Sequence, residues 1–120
     1  MKLYLGMLQQ RGIPVKHFDA GQRIFLEHDP ADAMYVVRSG AVDVISFGAV
    51  LEQVGEGGVF GEMAIINNAP RAAAALASQP TEVAVIDKPT FLSLIADEPE
   101  FGVRVMEIMA ERMRRKASVA

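Results

Sequence analysis

The chain has no cysteine, which excludes disulfide frameworks, thiolate metal sites and redox thiols together. It has little histidine. His17 and His28 are its only two, and they fall near expected turns rather than as the closely spaced pair, with a third ligand, that a barrel metalloenzyme needs. No serine stands in a nucleophile-elbow context and no carboxylate pair separates from ordinary surface charge, so no catalytic residue has a candidate and the expectation is a non-enzyme without a metal. No apolar run approaches the ~20 residues required to span a bilayer. Met1 to Leu8 is too short and too weakly basic for a signal peptide, and a cytoplasmic address without membrane attachment is the expectation. There is also no excess of positive charge: 12 lysines and arginines face 15 acidic residues, a net charge of −3. Such a chain has no global field to attract nucleic acid.

Hydrophobic residues make up 51% of the 120 positions, well outside disordered composition. The length allows one core and is short for two, so a single domain over residues 1–120 is expected. Lys2 to Arg11 places Leu3, Met7 and Leu8 on one helical face and stops before Gly12 and Pro14, giving an N-terminal helix over 1–11. From Val15 the period changes to short apolar alternations. Val15 to Phe18, Arg23 to Leu26, Met34 to Val37, Val42 to Ile45 and Val50 to Val54 read as strands separated by glycine- and aspartate-bearing turns, as in an antiparallel sandwich or barrel. Ser39-Gly40, between two of them, is a candidate tight turn. Ala72 to Ala77 has helical propensity, but Pro70 and the need of strand Thr81 to Ile86 for a partner favour a buried strand. Helical periodicity returns at Pro89 to Ala96 and at Pro99 to Lys116, the second with a stripe of Phe101, Val105, Ile108, Met109 and Met113. Arg112, Arg114, Arg115 and Lys116 near its end read as charges that complement the helix dipole.

Residues 60–73 read F-G-E-M-A-I-I-N-N-A-P-R-A-A, which brings a glycine, a carboxylate, a short apolar helix and a guanidinium into one loop. These are suitable parts for holding a sugar phosphate. Gly61 allows close backbone approach, and Arg71 offers a planar fork that grips a phosphodiester through two donors, as the point charge of lysine does not. Glu62 nearby is expected to compensate part of the charge of Arg71.

This loop, with the entry Asp29-Pro30-Ala31-Asp32-Ala33-Met34-Tyr35-Val36-Val37 and the Ser39-Gly40 turn, resembles the cyclic nucleotide-binding domains of catabolite activator proteins and of kinase regulatory subunits. The spacing from Gly61-Glu62 to Pro70-Arg71 is that of the kinase-type phosphate-binding cassette, here residues 60–75. The resemblance implies a mainly β fold: an antiparallel, jelly-roll-like β-roll of about eight strands over 15–87, with a short N-terminal helix, a cassette helix and two C-terminal helices over 89–116. It implies that Glu62 accepts the ribose 2′-hydroxyl and that Arg71 binds the exocyclic phosphate. Backbone amides near Gly61, Met63 and Ala72 complete the cradle, and Phe60, Met63, Ala64 and Ala73 contribute its walls. Ala74 and Ala75 replace the threonine and valine that often close the cassette. Ala72 lacks the hydroxyl that relatives selective for cGMP often carry, which leans the ligand towards cAMP over cGMP.

The resemblance further implies a cyclic nucleotide receptor whose ligand moves the C-terminal helices, with a base lid somewhere along Arg104 to Met113. Transcription factors of this type carry a helix-turn-helix after the long helix. The sequence stops at Ala120, so the expectation is a stand-alone module without a DNA-binding domain, whose outlet is a homodimer or an effector protein on the C-terminal helix. The competing expectation is a degenerate fold that binds no ligand and serves as a dimerisation or interaction module.

Overall fold

Short runs rich in β-branched and aromatic residues, broken by turn formers, give eight antiparallel strands in two four-stranded sheets. The computed structural model describes the backbone of residues 5–119 and their side chains other than those of residues 5, 64 and 115–119. The strands are β1 (Val15–Phe18), β2 (Arg23–Phe25), β3 (Ala33–Ser39), β4 (Val42–Ser46), β5 (Ala49–Val54), β6 (Val59–Phe60), β7 (Ala74–Ala77) and β8 (Thr81–Asp87). Helix α1 (Leu5–Gln10) precedes them, α2 (Glu62–Asn67) joins β6 to β7, and α3 (Lys88–Asp97) and α4 (Pro99–Val119) follow. Leu3 of the expected N-terminal helix lies outside the described residues.

The strands pair in a nested order. β4 pairs with β5, β3 with β6, β2 with β7 and β1 with β8, which is the expected β-roll. Its innermost hairpin turns at Phe47 and Gly48, both left-handed with φ of 52° and 74°, the conformation that matches strand twist in a two-residue loop. Ser39-Gly40 turns between β3 and β4 as expected, but the two strands belong to opposite sheets. It is a corner between sheets. Gly40 has φ 90°, and a Cβ there would lie 2.4 Å from the Pro80 carbonyl oxygen. Beside it the buried Thr81 hydroxyl accepts from the Ala41 amide at 3.2 Å.

The alanine-rich segment is a strand only from Ala74. Pairing with β2 on one side and β4 on the other overrides its helical propensity.

The sheet β1-β8-β3-β6 is a wall between two cores. Met34 and Val36 of β3, Ala84 and Ile86 of β8 and Val59 of β6 pack outward with Leu8, Ile65, Phe91, Leu94, Phe101, Val105 and Ile108. Their strand neighbours Ala33, Tyr35, Val37, Val83 and Phe60 face inward, towards Val42, Val54 and Ala75. This alternation follows from the two-residue period of a strand, and both faces are covered, so β3 is apolar almost throughout.

The helical layer is held from its ends as well as its face. Asp87 caps α3 by accepting from the Thr90 amide at 2.9 Å, and hydrogen bonding to Thr90, from its side chain first and its amide second, holds the carboxyl below its ordinary value. On α4, Phe101, Val105 and Ile108 are buried and Met109 is half-buried as the stripe requires, but Met113 is 65% exposed. The buried face runs instead to Arg112, four residues after Ile108, because two carboxylates await it there.

Candidate functional site

The loop from β6 to β7 crosses from one sheet to the other, and this passage sets where its side chains go. Phe60 ends β6 inside the roll, Gly61 turns the chain with φ 77°, and α2 begins at Glu62. Arg71 is fixed by its own backbone. Its amide donates to the Asp29 carbonyl at 2.9 Å, and its carbonyl accepts from the His28 amide at 2.8 Å, so the β2–β3 loop clamps it on both sides.

The Arg71 side chain turns inward and is only 4% exposed. Its Nη1 donates to the Gly61 carbonyl at 2.8 Å and its Nη2 to the Ala33 carbonyl at 2.6 Å. The guanidinium lies over the Phe25 ring, 4.1 Å from the centroid, and 5.5 Å from that of Tyr35. Its Nε is buried without a hydrogen-bond partner. Burial pulls the Arg71 pKa below its ordinary value, against the smaller opposing effects of Tyr35, Asp32 and Glu62. The Tyr35 phenol is pushed up, chiefly by burial, with the positive charge of Arg71 acting the other way.

Gly61 is obligatory in this arrangement. A Cβ there would stand 2.7 Å from Nη1 of Arg71 and 3.4 Å from the Tyr35 ring, on a backbone that side chains rarely adopt.

Glu62 makes no direct ion pair with Arg71; the compensation expected from sequence is the smallest of the charge effects on that guanidinium, after those of Tyr35 and Asp32. The Glu62 carboxylate is buried, 3% exposed as a residue, and its ion-pair partner is Arg112 of α4. The same guanidinium holds Glu52 of β5 through two bonds, Nε to Oε1 at 2.9 Å and Nη2 to Oε2 at 3.0 Å, and also donates to the Val59 carbonyl. Burial would lower the pKa of Arg112, but hydrogen bonding to Glu52 and the charges of Glu62 and Glu52 outweigh it and raise the value. Beside this junction, a cleft of about 290 Å³ is lined by Val54, Gly58, Ile108 and Glu111 among others. Helix α4 is therefore pinned to the loop that carries Gly61 and Glu62.

The structure thus brings Phe60, Gly61 and Arg71 together between the sheets and places Glu62 beside them facing α4. Met63 is 45% exposed, Ala72 is exposed and Ala73 half-buried on the outer side of the loop. The side chain of Ala64 lies outside the described residues. Sequence reasoning missed Glu52, Phe25, Tyr35 and the role of Arg112. Only Arg112 carried a usable signal, its i+4 spacing from the apolar Ile108. Among the described residues there is no cluster suited to a metal ion, and no helix is long and apolar enough to cross a membrane.

Comparison with known proteins places this geometry. The family described as the cyclic nucleotide-binding domain matches residues 15–98. A cAMP-dependent protein kinase regulatory subunit of Yarrowia lipolytica is 40% identical over 82 residues, covering 68% of this chain and 22% of that protein. The CRP-like cAMP-activated global transcriptional regulator of Mycobacterium tuberculosis is 29% identical over 103 residues, which is 82% of this chain and 46% of the relative. This chain thus spans about a fifth to a half of the length of these relatives. The crystal structure of the Thermus thermophilus catabolite activator protein superposes with a TM-score of 0.83 at 27% identity, over 93% of this chain and 55% of that one. The nested roll, the loop from Phe60 to Arg71 and these likenesses agree: the chain belongs to the cyclic nucleotide-binding domain family.

Proposed function

We propose that this domain is a cyclic nucleotide receptor, with cAMP the favoured ligand, and that binding is transmitted through α4. The carrying observation is Arg71: a buried cation, with no carboxylate ion-paired to it among the described residues, one guanidinium nitrogen without a partner and a glycine turn against it. An anion that brings its own charge and acceptors suits such a site better than it suits solvent. In this reading Arg71 holds the exocyclic phosphate and Glu62 accepts the ribose 2′-hydroxyl. The cradle and walls come from Phe60, Gly61, Met63, Ala64, Ala72 and Ala73. The preference for cAMP rests on Ala72, which brings no hydroxyl towards a guanine, and on relatives named for cAMP.

Arg112 supplies the coupling. It occupies the carboxylate that the ribose would use, so ligand and α4 compete for Glu62, and occupancy of the site changes how firmly the helix is held. Typical couplings of this kind are about 1 to 3 kcal/mol. The outlet is the exposed seam of α4. Val103, Met106 and Met113 are 49%, 61% and 65% exposed, and with exposed Ala110 they follow a three-four-three spacing. That spacing suits pairing with the same helix of a second copy.

One observation favours the rival reading of a fold that binds no nucleotide. Two of the three Arg71 nitrogens already donate to main-chain oxygens. Titration calorimetry with cAMP and cGMP separates the readings. A receptor binds at least one of them, and Arg71→Ala removes about 2 to 5 kcal/mol of that affinity. Unchanged affinity in Arg71→Ala would remove the site; no binding by the wild-type chain would leave the interaction module.

A further inference from the structure

Burying the charge of Arg71 requires something other than a counter-ion, since neither carbonyl that it meets carries a net charge. The face of its guanidinium lies on Phe25, with Cζ 4.1 Å from the ring centroid. Phe25 does not stand alone. Its centroid is 6.0 Å from those of Tyr35 and Phe60, which stack on each other at 5.1 Å. Three rings from β2, β3 and β6, drawn from both sheets, thus form one platform, and Phe25 is the ring nearest the guanidinium. The strand geometry aims it there. β2 has three residues, and its register against β7 shifts between Arg23 and Phe25, a device that re-aims a side chain.

We propose that Phe25 is the positioning residue of the anion site: its ring carries the guanidinium of Arg71 and so fixes the direction of the buried, unpartnered Nε–H, the donor that an entering anion would reach. The identity of that anion rests on the cyclic nucleotide reading; the positioning does not. A leucine keeps the site apolar but offers no negative ring face, whereas tyrosine retains it.

The test uses the full chain with Phe25→Leu, Phe25→Tyr and an isosteric trifluorophenylalanine at position 25, which keeps the shape of the ring while cancelling its negative face. The first readout needs no nucleotide. The Nε–Hε resonance of Arg71, assigned by its loss in Arg71→Lys, is expected to be ring-shifted in the wild type and in Phe25→Tyr. It should move to the position of exposed arginines in Phe25→Leu and move part of the way in the fluorinated chain, with the urea midpoint of the latter unchanged. The second readout is cAMP affinity by calorimetry. Phe25→Leu and the fluorinated ring are expected to lose on the order of tenfold, Phe25→Tyr to stay near the wild type, and Phe25→Leu to cost nothing further when combined with Arg71→Lys. An Arg71 resonance indifferent to the fluorinated ring would overturn the proposal. So would an affinity loss of equal size with and without Arg71→Lys. If the wild type binds neither nucleotide while the resonance behaves as expected, the receptor reading fails and the positioning role of Phe25 stands.

Discussion

Arg112→Met and Glu62→Gln, made singly and together, are expected to show a coupling energy of about 2 kcal/mol in urea unfolding. The size follows from the surroundings of the pair. The Glu62 side chain is 4% exposed and that of Arg112 is 20% exposed, so solvent screens them only in part. Two unit charges about 4 Å apart attract by about 4 kcal/mol at an effective dielectric constant of about 20. Desolvation takes back a share, and Arg112 keeps its two bonds to Glu52 whatever happens at Glu62. The single change Arg112→Met is the costlier, about 3 kcal/mol, because it strands a buried carboxylate. Glu62→Gln costs less, since its amide oxygen still accepts from the guanidinium. The pKa of Arg112 is raised above its ordinary value. Its stabilising contribution is therefore complete below that ordinary value and lost only as pH rises through the raised one, so the coupling should be flat across neutral pH. If the proposed receptor reading holds, saturating cAMP should shrink it, because the ribose hydroxyl would compete for Glu62, and Arg112→Met should raise nucleotide affinity severalfold. A coupling below about 0.5 kcal/mol, the level of ordinary additivity error, would refute the claim that α4 is held through this pair.

Gly61→Ala is expected to cost about 2 kcal/mol of stability and to weaken nucleotide binding, because it strains a left-handed backbone position and drives a methyl into Arg71; chemical denaturation and calorimetry on one variant check both. Asp87→Ala should lower the thermal midpoint by removing the α3 cap. Since the pKa of Asp87 is depressed in the folded chain, the gap from the wild type should hold above the ordinary aspartate value and close as the pH falls through the depressed one. Met106→Glu with Met113→Glu places charge in the exposed seam of α4 without touching the core. Sedimentation should show a dimer of the wild type converted to monomer, and an unchanged state would rule out pairing along that face. In a thermal scan, cAMP at about a hundredfold excess over its dissociation constant should stabilise the wild type by about 2.7 kcal/mol; no shift with either nucleotide would refute the receptor.

The roll was legible wherever a strand had its own alternation and its own turn. Val15 to Phe18 matches β1 at both ends, and the limits of the other strands moved by no more than two residues. Val59 and Phe60 escaped because two residues carry no period. Ser39-Gly40 could be read as a tight turn because turn chemistry is local, but not as a corner between sheets, whose packing partners Pro80 and Thr81 lie forty residues on. In the site, Gly61, Glu62 and Arg71 could be named because their spacing is contiguous in sequence. The partner of Glu62 could not, since the Arg112 contact joins residues fifty positions apart, and a basic residue near a helix end already had an adequate local explanation. The inward turn of Arg71 onto Phe25 was equally hidden, because it depends on a register shift in a three-residue strand.

The wall formed by β3 and β8 has an evolutionary consequence. Because Met34, Val36, Ala84 and Ile86 look one way while Ala33, Tyr35, Val37 and Val83 look the other, substitutions that remodel how the helices lie need not disturb the lining of the barrel. Lineages could thus exchange one arrangement of the helices for another by drifting a single set of alternate positions, while the chamber behind the partition stayed the same.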